Sequence, residues 1–346
     1  MYTIPPKKML ILNILDILRK YSDKSHRLSA KEIGERLEKE YSQKVDRKAI
    51  KRNLMNLIDF GYEIDYSETV RKNKNGEDEV IYSDWYLNRE FVDAELRLLI
   101  DSLLFSKHIP YNQCKELIGK LEGLSNTYFK AKVKYIRTMP ERLPPNRELF
   151  YTIEVLDEAI SAKKRVAFHY NEYGLDKRQH PKTNKAGKST VYKVNPYQMA
   201  AANGRYYLIC THKYYPDVVS NYRVDRISNI RLLEDEPAAP SQNVPALKNG
   251  FDLPKHMAEN IYMFGDEGIR VKFRAKRYLI GDILDWFGQD VRLSEDGGEV
   301  IATVTVSAQA MHYWSLQYGE HMEVLEPESL REQVRDTAKA IYDRYL

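Results

Sequence analysis

The stretch NGRYYLICTHKYYPDVVSNYRVDRISNI, from Asn203 to Ile230, decides how this chain is read. It has the composition of two strands and a turn, with Asn203-Gly204 as the turn signal. Its polar residues are unusual for a plain sheet, because tyrosines crowd together and Arg223, Asp225 and Arg226 cluster. Tyr206 and Leu208 share one strand face and Tyr207 takes the other, so one of the two sets is core. Arg226 beside Asp225 is a candidate structural ion pair. Arg223 alternates with apolar Val224 and is read as pointing outward.

The flanking sequence extends this unit. TIEVLDEAISAKKRVAFHYNEYG reads as a helix and then a strand in which Val166, Phe168 and Tyr170 alternate with Ala167 and His169. A basic loop, a strand, the Asn203-Gly204 turn and another strand follow, and SNYRVDRISNIRLLED closes the unit. Short strands joined by turns after one helix suggest a small β-barrel. AGKST resembles the end of a phosphate-binding loop, but Lys182 stands where that motif needs a glycine. His169, His180 and His212 lie on separate elements without metal-ligand spacing. No nucleophile–base pairing stands out.

Three helical patterns open the chain. Leu10, Ile14, Leu15, Ile17, Leu18 and Tyr21 recur at helical spacing. Ser29 and Glu32 have capping-box spacing ahead of Ile33, Leu37 and Tyr41. In VDRKAIKRNLMNLIDFG, Asp46 is the expected N-cap and Gly61 follows the end. Its apolar stripe is Ile50, Leu54, Leu57 and Ile58, with Lys48 and Arg52 opposite, flanked by Lys51, Met55 and Asn56. Alternation then appears in Tyr62–Tyr66 and Val80–Leu87, separated by a polar loop carrying Arg71, Lys72 and Lys74. Three helices followed by a hairpin is the order of a winged helix-turn-helix, whose third helix enters the major groove while the wing touches the backbone. On that reading Arg47, Lys48, Lys51, Arg52, Asn56, Arg71, Lys72 and Lys74 are the DNA-binding candidates. The acidic tip, Glu77–Glu79, argues against deep insertion of the wing.

Two helical stretches broken by Pro110 come next, the second running to Phe129. They read as a domain-joining and dimerising linker. MPERLPPNRELF (Met139–Phe150) reads as a linker or an extended crossing. DEPAAPSQNVPALKNGFDLPKH is a second, Pro-rich linker, and strands and helices then alternate to the C-terminus in the manner of a small ferredoxin-like α+β domain.

The 346 residues allow two or three domains. No apolar run has the length of a membrane span, and the N-terminal apolar stretch is interrupted by charges and reads as a helix rather than a signal peptide. Two distant cysteines, Cys114 and Cys210, fit a reducing cytoplasm. The net charge of +4 is unevenly spread, with +2 over residues 1–88, −1 over 89–129, +11 over 130–231 and −8 over 232–346. A basic middle segment attracts large anions, of which nucleic acid is the commonest. The acidic end argues against DNA contact there and makes it a candidate to lie against the basic segment of a partner subunit.

The stretch Arg205–Ile227 resembles the WYL domain, named for a Trp-Tyr-Leu tripeptide that reads Tyr206-Tyr207-Leu208 here. YRVDRI (Tyr222–Ile227) matches that family's aromatic-Arg-aliphatic-Asp-Arg-Ile run. VNPYQM (Val194–Met199) and VAFHY resemble its other strands. The departures are Tyr206 in place of Trp, and Ser220 where the family often has Arg two residues before the final aromatic. The resemblance covers almost the whole chain. It implies an α+β multidomain protein: a winged helix-turn-helix over residues 1–88, a helical linker over 89–150, an Sm-like β-barrel over 151–235 and a C-terminal extension over 255–346.

The resemblance further implies a dimeric bacterial or phage-type transcription regulator whose barrel senses a nucleotide or single-stranded nucleic acid. Aromatic faces stack on bases and Arg contacts phosphates, so the residue chemistry agrees. The ligand candidates are His169, Tyr170, Lys182, Tyr197, Arg205, Tyr207, Arg223 and Arg226. The expectation is a homodimeric repressor of an inverted-repeat operator, not an enzyme, with no cofactor and no metal. The alternative is a nucleic-acid-binding accessory protein of a defence or repair system without a specific operator.

Overall fold

A computed structural model describes residues 7–72, 75–106, 109–133, 148–244, 252–266 and 268–346. The chain divides into two compact units, Met1–Phe105 with Tyr111–Arg142, and Ser106–Pro110 with Leu143–Leu346.

The first unit begins with α1 (Leu10–Tyr21), α2 (Ala30–Tyr41) and α3 (Arg47–Phe60), followed by strands β1 (Ile64–Lys72) and β2 (Asp78–Leu87). Each helix starts or stops on a local signal. The Ser29 hydroxyl accepts the Glu32 N–H while the Glu32 carboxylate accepts the Ser29 N–H. Asp46 accepts the Ala49 N–H at 2.8 Å, and Gly61 ends α3 in the left-handed region at φ 112°. Ile14, Ile17, Leu18, Ile33, Leu37, Ile50, Leu54 and Trp85 are fully buried in one core. A backbone bridge from Leu28 to Trp85 fixes the base of the hairpin to the α1–α2 connection.

The hairpin is longer than its alternation suggests. Residues 67–72, read as loop, pair in register from Ser67 opposite Ser83 to Lys72 opposite Asp78. Glu68–Lys72 and Asp78–Ile81 are exposed on both faces, so no buried face imposes a period of two on the sequence. Lys74 lies outside the described residues.

Among the described residues the linker holds α4 (Asp93–Phe105), α5 (Tyr111–Glu122) and α6 (Thr127–Val133), where two helices were expected. The helix expected to run on to Phe129 stops at Glu122, because Asn126 starts a new one. The buried Asn126 side chain accepts from the N–H groups of Tyr128 and Phe129 at 3.0 and 2.9 Å, and its amide donates to Asp23 at 2.6 Å. The crossing expected at Met139–Phe150 lies outside the described residues up to residue 147.

The second unit starts with α7 (Leu149–Ala162). Strands β3 (Lys164–Tyr173), β4 (Gln179–Pro181), β5 (Val191–Ala202), β6 (Arg205–His212), β7 (Tyr215–Arg223) and β8 (Ile227–Pro237) follow. All pair antiparallel in the order β4-β3-β5-β6-β7, with β8 also on β3. The expected barrel does not close, since no ladder joins β7 to β8 among the described residues. The cause is the 3-10 turn Val224–Arg226, which carries the chain off β7 and delivers it to β3. α7 packs on one sheet face, where Leu149, Leu156, Val166, Phe168, Val194, Leu208, Cys210 and Val224 form the core.

After β8 come α8 (Leu253–Glu259), β9 (Gly268–Lys276), α9 (Ile280–Phe287), β10 (Arg292–Asp296), β11 (Glu299–Ser307), α10 (Ala308–Gln317), β12 (Met322–Glu326) and α11 (Glu328–Arg344). The sheet is antiparallel in the order β10-β11-β9-β12 and packs around Phe273, Phe287, Met311 and Trp314. Two elements escaped the sequence reading. β10 is exposed at every residue, and α8, capped by Asp252, begins inside the stretch read as linker. Side chains tie this region to the preceding sheet: Asn203 donates to the Ile261 carbonyl at 2.9 Å, and His256 bonds Asn221 at 3.1 Å. Among the described residues, no helix is long and apolar enough to cross a membrane.

Asn126 is the testable tie within the first unit. Burial raises the Asp23 carboxyl, but bonds from His26 and Asn126 outweigh it and hold the group below the usual carboxylate range. Asn126→Ala removes a helix cap and one of these donors, and should cost about 1–3 kcal/mol at neutral pH in urea denaturation. A depressed carboxyl stabilises above its unfolded value and loses that contribution in acid, so the deficit should shrink as pH falls below the ordinary Asp range.

Candidate nucleic-acid and ligand surfaces

α3 is held by its buried Ile50, Leu54 and Leu57, which turn the opposite side to solvent. Lys48, Arg52 and Asn56, at intervals of four, form an exposed strip there, and Arg47 is exposed in the first turn. Asp59 ends the strip with the opposite charge. Lys51 is used differently, since its ammonium sits 3.6 Å from the centre of the Tyr82 ring and fastens α3 to the hairpin. Arg71 and Lys72 are exposed on β1 but stand opposite Glu79 and Asp78 in the ladder, which weakens their field.

The second surface gathers where β3 ends, around β4 and the Val224–Arg226 turn. Tyr170, Tyr192 and Tyr222 meet edge to face, with Tyr170 and Tyr222 centred 4.9 Å apart. The Tyr170 hydroxyl accepts the Arg223 N–H at 3.3 Å, and burial pushes this phenol up. The Lys182 ammonium lies 5.8 Å from the Tyr170 ring, and the Arg226 guanidinium 5.5 Å from the Tyr173 ring. Gln179 donates to the Tyr173 hydroxyl at 2.9 Å and to the Asp225 carbonyl at 3.1 Å. The result is a set of tyrosine rings with two cations at its margin. The Arg226 Nε is buried and has no hydrogen-bond partner among the described residues.

Four of the eight ligand candidates therefore come together: Tyr170, Lys182, Arg223 and Arg226. Their roles differ from the sequence reading. Asp225 pairs with Arg223, not Arg226, through two bonds of 3.0 and 2.6 Å. Arg223 is thus a fixed, largely buried residue rather than an outward one, and the guanidinium left for a ligand is that of Arg226. Tyr207 stands opposite Arg223 in the β6–β7 ladder and is only 9% exposed, whereas Tyr206 is 37% exposed. Both faces of β6 are covered, because Val244 and Ala200 form a second small core with Ile209 on the Tyr207 side.

The other candidates lie apart. The Tyr197 hydroxyl bonds Thr211 at 3.1 Å and its ring packs on that second core. Arg205 opens β6 opposite Ala202, with its Nε buried. His169 bonds the Thr190 carbonyl and lines a groove of ≈ 580 Å³ with Tyr151, Val191 and Arg231. Ser220 stands opposite Cys210, on the Tyr222 side of the sheet. Sequence reading missed Tyr173, Gln179, Tyr192 and Tyr222 as site members. Their membership depends on β4 returning to β3, which a three-residue strand inside a basic loop does not announce.

Residues 151–232 match the WYL domain and residues 267–342 match the WCX domain. No curated protein matches the chain. Among solved structures, the chain is similar to proteasome accessory factor B/C (PafBC) of Arthrobacter aurescens at 16% identity and a TM-score of 0.29. That alignment covers 99% of this chain and 49% of the other, so the chain spans about half of that protein's length. It is also similar to a CRISPR Cas-related protein at 16% identity and a TM-score of 0.37, covering 97% of this chain and 85% of the other. The chain thus carries a WYL domain followed by a WCX domain.

Proposed function

We propose that the protein is a DNA-binding transcription regulator, a homodimeric repressor acting on an inverted repeat and modulated by a nucleotide or single-stranded nucleic acid on its WYL domain. The observation that carries this reading is the exposed Lys48–Arg52–Asn56 strip on the third helix of a three-helix unit followed by a hairpin. This order supports a winged helix-turn-helix, with α3 in the major groove and the ribbon along the backbone. The opposed charges on the ribbon favour light backbone contact over insertion. The β–α–β–β–α–β order from β9 to β12 supports a ferredoxin-like reading of the C-terminal domain. No catalytic role is assigned.

For the effector, the Tyr170–Tyr173 rings offer stacking surfaces, and Lys182 with Arg226 offers charge for a phosphate. The ligand acts by favouring one of two states of the dimer that differ in DNA affinity, which requires unequal affinity for those states.

Lys48→Ala with Arg52→Ala should weaken duplex binding and flatten its salt dependence, by about 0.9 in the log–log slope for each phosphate no longer neutralised. Electrophoretic shifts over a range of salt on a selected operator check this, and unchanged binding by the double variant would sink the reading. If selection from random duplexes yields no preferred sequence, the accessory-protein reading is favoured instead.

Lys182→Ala with Arg226→Ala should leave ligand-free DNA binding intact and abolish the response to added nucleotides or short single strands. Arg223→Ala should behave differently. It removes both guanidinium bonds to the buried Asp225, whose side chain is 6% exposed, and should cost about 3–5 kcal/mol in denaturant melts whether or not ligand is present.

A further inference from the structure

A second cationic cluster lies on the other face of the WYL sheet. Arg165 alternates with core Val166, Lys193 with Tyr192 and Val194, and Lys213 follows His212. All three therefore point away from the core that holds Tyr170. They converge on Glu236, near the end of β8. Arg165 Nη1 lies 3.3 Å and Lys213 Nζ 2.8 Å from one carboxylate oxygen, and Lys193 Nζ lies 2.8 Å from the other. Three cations on one carboxylate leave two positive charges unbalanced. The four side chains keep 21–31% exposure, so solvent reaches them.

The arrangement is supported from beneath. Arg165 Nε donates to Asn195 Oδ1 at 2.8 Å, and Asn195 is 1% exposed. The Asn195 amide in turn donates to Thr211 Oγ1 at 3.1 Å, and its Oδ1 also accepts the Ala239 N–H. The Lys213 N–H bonds the Lys193 carbonyl, which sets the two lysines side by side. A register shift between Lys164 and Arg165 brings the end of β8 over this group. Bonds from Lys193 and Lys213 hold the Glu236 carboxyl down at about 2, so it is ionised at any working pH.

We propose that Arg165, Lys193 and Lys213 form a phosphate-monoester site, and that Glu236 occupies it as a tethered competitor. A carboxylate has two oxygens, and here one of them serves two cations. A phosphate monoester offers three terminal oxygens and a charge near −2, one oxygen for each cation and a closer charge balance. Arg contributes a planar fork and the lysines point charges. Glu236 competes at the effective concentration of a group on the same chain, on the order of millimolar or higher, so wild-type affinity for a single phosphate is weak. The inference stands whether or not the Tyr170 surface binds a base.

The test uses the full chain. Inorganic phosphate and adenosine monophosphate are titrated by calorimetry. A 3′-fluorescein decathymidylate, with a 5′-phosphate or a 5′-hydroxyl, is followed by polarisation. Glu236→Gln should bind the monoester probes about tenfold or more tighter than wild type, as expected when an intramolecular competitor is removed. Adding Lys193→Ala and Lys213→Ala to that variant should remove the gain. Equal gains for inorganic phosphate and the nucleotide identify free phosphate as sufficient, and a larger gain for the 5′-phosphorylated strand identifies a strand end. Unchanged affinity in a natively melting Glu236→Gln variant overturns the proposal, and so does an equal gain for the 5′-hydroxyl strand. Should Glu236→Gln fold poorly, Lys193→Met in the otherwise wild-type chain must weaken phosphate binding several-fold, and unaltered binding overturns the site.

Discussion

The WYL sheet depends on one buried charge pair at its corner. Asp225 sits in a single 3-10 turn between β7 and β8, gripped in two places by Arg223 two residues earlier. Its main-chain carbonyl is held by Gln179 from β4. Val224, on the same turn, is fully buried in the core under α7. One turn thus stops β7, returns the chain to β3, anchors the short β4 and sets Arg226 beside Tyr173. A charge taken out of water is tolerable only when paired and hydrogen-bonded. The corner therefore has few alternative geometries, and the aromatic rings near it inherit that restriction.

The same logic explains which parts of the fold could be read in the sequence. The three N-terminal helices were legible to within a few residues because each carries an apolar stripe, and α2 and α3 also carry caps, Ser29 with Glu32 and Asp46 with Gly61. Strands with one buried face, such as β9 and β11, were legible through alternation. The outer half of β1, all of β10 and the short β4 were not, since a strand without a buried face has no reason to alternate. α8 was hidden by the prolines around it, although Asp252 caps it in the ordinary way.

The candidate ligand site was half legible. Composition pointed to tyrosines and arginines, and Tyr170, Lys182, Arg223 and Arg226 do meet. Their division of labour was not, because two neighbouring arginines compete for one aspartate and sequence spacing does not choose between them. Geometry does: from Arg223 both guanidinium bonds reach Asp225, while Arg226 lies over Tyr173. The cluster around Glu236 was invisible for a related reason. Its members come from β3, β5, β8 and the β6–β7 turn, and only the register of the sheet assembles them.

The two-sided exposure of the β1–β2 ribbon has a consequence for how such a protein can change. The ribbon is anchored at its base, where Trp85 is buried, Tyr66 and Tyr82 stack near it and Lys51 reaches over from α3. Beyond that point the described residues of the ribbon, Glu68–Lys72 and Asp78–Ile81, are exposed. Inserting or deleting residues in opposed pairs would alter its length by about 3.3 Å per pair while leaving every buried contact in place. On the proposed reading, reach along a duplex would be a modular dimension of the molecule, adjustable separately from the helix that would read the bases.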